Sequence, residues 1–325
     1  MSWAGFTKRK DYELVISDQD LVGFFLAILF KLTGARQRHI VICHGKLAQP
    51  HVGRIMRLLR LQTHIHRFVC YGPAVAERLM TRLKIPSDQI VIVRHAADHE
   101  FWRPSFPSRD RLLVSAGMYN RDYETLVEAV RGLDIRVQIV AFSPWVDPRE
   151  NARSPAAAPL PNVTFTKLNQ PELRKLYSQA LFIAVPLHDN DIQVGSLVVY
   201  EAMAMGKAVV VTRTKGQTAL GLVREGETGF YVPEGDVNAW REAITYLTDH
   251  PEEALEMGRR ARDVVEQGLN LRQYVEDMVG LVHMLGGGAA LSANGNGNGV
   301  AHVPAGQKAT TLTGTAASVS PSEKS

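Results

Sequence analysis

The stretch Asp189–Thr212, DNDIQVGSLVVYEAMAMGKAVVVT, holds a polar loop, a helix start and a buried strand in close succession. The apolar run Leu181–Leu187 before it has the length of a strand, and it stops at His188–Gln193, a segment too polar for a buried strand. Gly195 and Ser196 then open a helix expected to run to about Met205. Its first backbone N–H groups have no intrahelical acceptor, and the positive end of its dipole faces the loop. Such an end binds anions, phosphate above all. Ala202, Ala204 and Gly206 are small enough to bring this helix close to a sheet, and Ala208–Val211 supplies the next strand. Ligands of parallel sheets bind at strand-to-helix junctions of this kind.

Outward from this stretch, strands and helices alternate twice. In the first half, Tyr12–Ser17, His39–Cys43, Arg67–Tyr71 and Ile90–Arg94 are expected strands, with helices near 20–33, 50–63 and 73–84. Pro104 and Pro107 among Ser, Arg and Trp mark an interdomain linker around Phe101–Arg109. The second half begins afresh with strands Arg111–Ala116, Ile135–Ala141, Asn162–Thr166, Leu181–Pro186, Ala208–Thr212 and Gly229–Val232. A helical finish is expected from about Val237 to Leu285. From Gly286 the chain turns to Gly, Ala, Ser, Thr and Asn, which lack the apolar area to offset ordering entropy. The expected units are therefore 1–103, 104–285 and a disordered tail, 286–325.

A chain of 325 residues with 45% hydrophobic composition fits two ordinary cores. Its two cysteines, Cys43 and Cys70, are far apart in sequence, each within an apolar strand-like run, and indicate neither a disulfide framework nor a zinc site. A reduced cytosolic compartment fits best. The first twenty residues are too polar for a signal peptide, and Leu21–Phe30 is half of what spanning a bilayer requires. Residues 1–110 hold 17 Lys and Arg against 9 Asp and Glu, a net +8 within a whole-chain +4. No helix-turn-helix, RNA-binding or OB signature supports nucleic acid as the partner, so an anionic donor or an anionic membrane surface is the better match. For the latter, residues 52–61 (VGRIMRLLRL) set Arg54, Arg57 and Arg60 among Ile55, Met56, Leu58, Leu59 and Leu61. As a helix this is basic and amphipathic. It serves either as a core-packed helix with a solvated face or as a lipid-docking face, peripheral to the membrane.

With Glu201, Ala202, Met203, Ala204, Met205, Gly206 and Lys207, the chain resembles the retaining glycosyltransferases of the GT-B fold in family 4. Members carry Glu-x7-Glu followed by Ala-Met-Ala, a small residue and Gly. Gln193 stands eight residues before Glu201, where the first Glu is usual. The resemblance implies an α/β, GT-B-like fold of two Rossmann-like doubly wound domains facing a cleft. Because nothing before Tyr12 supplies the family's opening strand and Gly-rich turn, the first domain is expected to be incomplete. It implies that Glu201 holds the nucleotide ribose and that Gln193 lies beside the donor sugar. Gln can hold a sugar hydroxyl but cannot stabilise a developing positive charge as a carboxylate does.

Further matches assign donor binding to Arg121, which falls where members have a phosphate-holding Lys, after Ala116–Gly117. Leu168 matches the loop whose backbone reads the base edge, and Val194, Gly195, Ser196 and Leu197 open the phosphate-facing helix. Lys215 stands in a turn, Thr214–Leu220, that lacks the family's Glu. Val93–Phe101, VRHAADHEF, resembles the stretch before the hinge, with Ala96 for a Gly. His44 matches a His that some members place in the cleft, where it would bond the donor or orient the acceptor. No metal and no cofactor is implied beyond the nucleoside-diphosphate sugar as co-substrate, and Asp189-x-Asp191 has metal-site spacing in the wrong context.

Taken alone, each residue has a plainer role. Glu201 suits an exposed helix position, Arg121 a local pair with Asp122 or Glu124, and Gln193 an ordinary loop. His64, His66, His95, His99 and His188 show no ligand pattern with Cys or carboxylates. The reaction expected from the resemblance is transfer of a hexose to a hydroxyl acceptor, on a glycan or lipid, with retained configuration. The alternative is a non-catalytic nucleotide-sugar-binding or scaffold protein descended from such an enzyme, and turnover separates the two.

Overall fold

The computed structural model describes residues 1–104, 108–141, 160–190, 192–286 and 300–302. It contains two sheets. The first half begins with a short helix α1 (Ser2–Thr7), followed by β1 (Leu14–Ser17), α2 (Asp20–Thr33), β2 (Arg38–Cys43), α3 (Pro50–Leu58), β3 (Arg67–Cys70), α4 (Pro73–Leu83) and β4 (Ile90–Val93). The four strands pair in parallel in the order β1-β2-β3-β4, which among the described residues is one half of a doubly wound sheet without its reversal, a shorter first domain as expected. Right-handed crossovers put α2, α3 and α4 on one face, where Phe24, Ala27, Met56 and Leu79 pack on Val41, Cys43, Phe68 and Ile90.

The helix expected over 50–63 ends early. Arg60 turns the chain at φ +47°, and Leu61–His64 form a single 3-10 turn whose Leu61 is fully buried. Leu61 and Met56 therefore leave the exposed face anticipated for residues 52–61.

The second half is built of β5 (Leu112–Ala116), α5 (Tyr123–Ala129), β6 (Arg136–Val140), β7 (Val163–Thr166), α6 (Gln170–Gln179), β8 (Phe182–Val185), α7 (Ser196–Ala204), β9 (Ala208–Thr212), α8 (Lys215–Leu220), β10 (Gly229–Val232), α9 (Val237–Asp249) and α10 (Pro251–Gly268). Its order, β10-β9-β8-β5-β6-β7, is fully doubly wound, and the reversal lies between β5 and β8. Two cores, one on each face, sandwich this sheet.

The last helix, α11 (Leu271–Gly286), returns to the first domain, although the boundary expected at 104 groups it with the second. Leu281 joins Ile40, Ile42, Val69, Val91 and Val93 in one cluster, with Tyr274 and Met278 packed on it. Without α11 that face of the first sheet would be open to water. Of the tail, Val300–His302 (β11) pair antiparallel with β4, and the remaining tail residues from 287 on lie outside the described ones. Residues 105–107 of the expected linker also lie outside them. Arg262 on α10 fastens the crossing chain: its Nη1 donates to the carbonyls of His99, Trp102 and Ala204.

Candidate active site

Where β5 and β8 diverge, the chain leaves β5 through a glycine turn and, beyond the loop that follows β8, enters α7 through another. Gly117 and Gly195 hold φ of +103° and +81°, a region that favours glycine. The two turns are stapled to each other. The Asp122 N–H donates to Pro186 O, the His188 N–H to Asn120 O, and Asn120 Nδ2 to His188 O at 2.7 Å. Arg121 lies between them and is 9% exposed. Its Nε donates to Ala116 O and its Nη1 to Tyr119 O, both at 3.0 Å, and Nη1 is 3.3 Å from where a β-carbon on Gly195 would stand.

Arg121 makes no local pair with Asp122, which instead caps α5 by accepting from the Thr125 N–H and hydroxyl. With two donors spent on carbonyls, Arg121 presents a charge behind the turn rather than an open fork. Burial lowers its pKa from the ordinary value, and Tyr123, Tyr177 and Glu201 oppose that fall.

α7 starts at this junction. Among the described residues, the N–H groups of Leu197 and Val198 have no backbone acceptor, and that of Ser196 reaches Gln193 O only at 3.4 Å. Val194 is held on both sides, its N–H by Ile192 O and its carbonyl by Gln217 Nε2 at 2.6 Å. Leu197 is exposed toward solvent, while Glu201, one turn on, is 5% exposed. Burial raises the Glu201 carboxyl to about 8, with Arg121 pulling the other way. Glu201 is therefore a buried, largely protonated acid facing a buried cation, and the exposed helix position is not where it sits. Leu168, after β7, is half-buried against the core that contains Tyr177. Lys215 stands exposed at the first position of α8, away from the rest of the group, and its side chain makes no hydrogen bond or ion pair with a described residue.

The first domain closes over this junction with the ends of β2 and β3. His44 follows β2; its backbone N–H donates to Asp20 Oδ2 at 2.8 Å, its Nε2 lies 3.1 Å from Asp18 O, and its ring meets Tyr71 edge-on at 5.4 Å. Ile192 packs on the first domain's core and touches the Gly45 turn. Gln193 reaches across to the Tyr71–Gly72 turn, where a β-carbon on Gly72 would overlap its amide, and its Nε2 is buried without a hydrogen-bond partner. His44 and Gln193 thus face the same cleft from opposite domains. Tyr71 also contacts His95, at 4.6 Å between ring centroids, and its hydroxyl lies 3.3 Å from that of Tyr274.

Three supporting residues escape a reading of the sequence. Asp20, 2% exposed, accepts from both His44 N–H and Leu47 N–H and so shapes the His44 turn. Gln217 holds the loop before α7 through Val194, and Tyr71 lies between His44 and His95. An acid at the first turn of α2 and a glutamine in TKGQTAL were visible, but their targets lie 24 and 23 residues away. The cysteines, distant in sequence, are register partners on β2 and β3, both buried and both free thiols.

Among the described residues no three His, Cys, Asp or Glu gather as a metal site requires, and Asp191 of the Asp189-x-Asp191 pair lies outside them. A cavity of about 420 Å³ opens beside Arg111, Leu133, Asp134 and Asn162. It lies at the opposite ends of the strands from the junction, where doubly wound sheets do not bind their ligands.

Residues 109–250 match the family described as Glycosyl transferases group 1. The D-rhamnosyltransferase WbpZ of Pseudomonas aeruginosa is 30% identical over 274 residues, covering 78% of this chain and 70% of that protein. Among solved structures, the Anabaena protein HepE in complex with UDP superposes with a TM-score of 0.72 at 13% identity, over 87% of this chain and 82% of that one. Sucrose-phosphate synthase from Thermosynechococcus elongatus superposes at 0.69 with 19% identity, over 87% and 76%. At these identities the two structures speak for the GT-B fold.

Proposed function

The chain belongs to the group 1 glycosyl transferases, and we propose that it moves a hexose from a nucleoside-diphosphate sugar to a hydroxyl acceptor with retention of configuration. The observation that carries this reading is the junction itself, where a buried cation, Arg121, lies between two glycine turns beside the open N-terminus of α7 and one helical turn from Glu201. The diphosphate would sit on the N–H groups of Leu197 and Val198, over the Arg121 charge. Charge that builds on the leaving phosphate as the glycosidic bond breaks is stabilised by such preorganised donors. Glu201 would take the ribose hydroxyls. Leu168 would lie at the base, and Lys215 would reach the phosphates only by swinging in from solvent. That HepE, which shares the fold, was solved with UDP and with UDP-glucose supports a nucleotide sugar as donor.

Gln193 and His44 would hold the transferred sugar and the acceptor between them. Gln193 has an unpartnered amide N–H₂ in the cleft, which suits a sugar hydroxyl. Neither residue is placed as an enzyme nucleophile in this reading. The attack is on the front face, with the departing phosphate taking the acceptor proton, and it calls on no metal. Release of nucleoside diphosphate from a panel of UDP-, GDP-, ADP- and TDP-sugars, with and without a membrane lipid extract, tests this. Acceptor-dependent release is the expected result. Silence across the panel with nucleotide still bound would move the assignment to a non-catalytic nucleotide-sugar-binding protein.

A further inference from the structure

From Leu21 to Ala76 the chain contains no Asp or Glu and eight Lys or Arg. This segment builds most of one outer layer of the first domain. α1 packs on α2, and α2 and α3 both pack on the Leu61–His64 turn, so the three helices lie side by side over the sheet. Lys31, Arg36, Lys46, Arg54, Arg57 and Arg60 are all exposed, and none forms an ion pair with a described residue.

The same layer exposes large apolar side chains. On α2, Leu21, Phe25 and Leu32 follow one another at helical spacing and are 39%, 53% and 78% exposed. On α3, Leu58 is 78% exposed, with Ile55 and Leu59 beside it, and Trp3 on α1 is 65% exposed. A single exposed Leu needs no explanation, but apolar stripes on neighbouring helices, interleaved with unpaired cations, form a surface made to be covered.

We propose that this α1–α2–α3 layer docks on an anionic lipid bilayer, and that the hydroxyl acceptor is carried by that bilayer. The second clause rests on the glycosyltransferase reading above. Charge decides the occupant: six exposed cations in a segment without one carboxylate match a surface uniformly negative, whereas protein faces mix both signs. Apolar side chains set among Arg and Lys are the pattern of helices lying in the headgroup boundary, and Trp suits the same depth. Among the described residues no helix is long and apolar enough to cross a membrane, so attachment here is by surface. The layer also begins at the cleft. Leu21 follows Asp20, whose carboxylate holds the His44 and Leu47 N–H groups, so a lipid-borne acceptor at this surface stands next to the site.

The test is co-sedimentation of the full chain with vesicles of phosphatidylcholine alone or with 30% phosphatidylglycerol, at low and high salt. Binding to the anionic vesicles only, weakened by salt, is expected. Each basic side chain near such a surface contributes about fivefold to partitioning, so Arg54→Gln, Arg57→Gln and Arg60→Gln together are expected to reduce it about 100-fold. Phe25→Ser with Leu58→Ser is expected to reduce it without altering the salt dependence. All variants should keep wild-type nucleoside-diphosphate affinity, since none of these residues belongs to the donor site. Equal binding to both vesicle types, no binding to either, or unchanged binding by the variants overturns the proposal. Variants that lose vesicle binding yet keep wild-type transfer to a lipid-borne acceptor discard the clause on the acceptor and leave the surface standing, whereas a wild-type chain that transfers sugar without binding vesicles discards the surface alone. Vesicle binding by a chain that takes up no nucleotide discards the transferase reading instead.

Discussion

Replacing Glu201 by Gln tests the electrostatics of the junction, because the amide mimics the protonated carboxyl in shape and cannot ionise. The Glu201 pKa is raised from 4.5 to about 8, chiefly by burial. Between those two values the folded chain holds a proton that the unfolded chain has released, so stability falls as pH rises. The loss is absent below pH 4.5 and complete above pH 8. At 1.36 kcal/mol per unit it amounts to about 5 kcal/mol at most, a large share of the ~5–15 kcal/mol that holds a domain folded. With Glu201 only 5% exposed, solvent screening removes little of it. Wild type and Glu201→Gln should therefore differ by less than about 1 kcal/mol at pH 5, and the variant should be more stable by about 3–5 kcal/mol at pH 9. Urea unfolding followed by the fluorescence of Trp102 and Trp240, both buried in the second domain, measures the difference. Parallel stability profiles from pH 5 to 9 would refute a buried, protonated Glu201.

The same proton links the site to its ligand. Ribose hydroxyls that donate to Glu201 favour its ionised form, so nucleotide binding near pH 7 should release up to one proton in the wild type and none in Glu201→Gln. Calorimetric enthalpies in buffers of different ionisation heat read that release directly. Binding enthalpies that do not depend on the buffer would place the ribose elsewhere.

Other perturbations reach the scaffold around the site. Lys207, 3% exposed and with its pKa lowered by burial to about 8, donates to Ser178 O and Ala180 O at the end of α6. Lys207→Met removes this donor from both carbonyls and should cost about 2–4 kcal/mol in urea unfolding; a cost below 1 kcal/mol would show water replacing it. Gly216→Ala sets a β-carbon into the Ile192 carbonyl, and the forced shift of the donor loop should outweigh the ~1 kcal/mol gained in helix propensity, for a net loss of about 1–2 kcal/mol and a raised donor KM. An unchanged KM would separate α8 from donor binding. His39, fully buried, takes the Ser17 hydroxyl at Nε2 and lies with Nδ1 3.3 Å from His64 O, and burial lowers its pKa to about 4. Below pH 6.5 the unfolded chain binds a proton that the folded chain refuses, so stability should fall by about 3 kcal/mol between pH 6.5 and 4. His39→Gln should flatten that limb, and a limb that persists in the variant assigns the acid sensitivity to other groups.

What the sequence made legible was what neighbouring residues decide. β9 and β10 stand at their expected limits, α7 begins at the Gly195 turn, and the second domain's strands differ from expectation by a residue or so at their ends. The Arg121–Gly195–Glu201 junction follows from that, because a doubly wound order brings the ends of β5 and β8 together whatever lies between them. The early stop of α3 was hidden, since Arg60 adopts a left-handed conformation that its identity does not signal and that burial of Leu61 enforces. Likewise hidden was the return of α11, whose apolar side chains fit either domain until the open face of the first sheet selects them.

The cleft was the least legible part, because every contact across it joins residues far apart in the chain. Gly72 meets Gln193 across more than a hundred positions, and within the first domain Tyr71 meets Tyr274 of the returning α11 across 203. Gly72 shows what is at stake. Its φ of −176° is open to any residue, so conformational freedom does not explain a glycine there; space does. A β-carbon at 72 would overlap the Gln193 amide and approach Leu220 to 2.9 Å, driving the Gln193 side chain, which crosses from the second domain beside Ile192, out of the cleft. The uncharged Gln193 and the bare backbone of Gly72 therefore form a matched pair. A carboxylate at 193 would bring its charge to the N-terminus of α4, whose remaining N–H groups favour an anion although Pro73 supplies none. The side chain at 193 is thus tied to how closely the first domain approaches at Gly72, and the two positions have to be changed together before the worth of either is known.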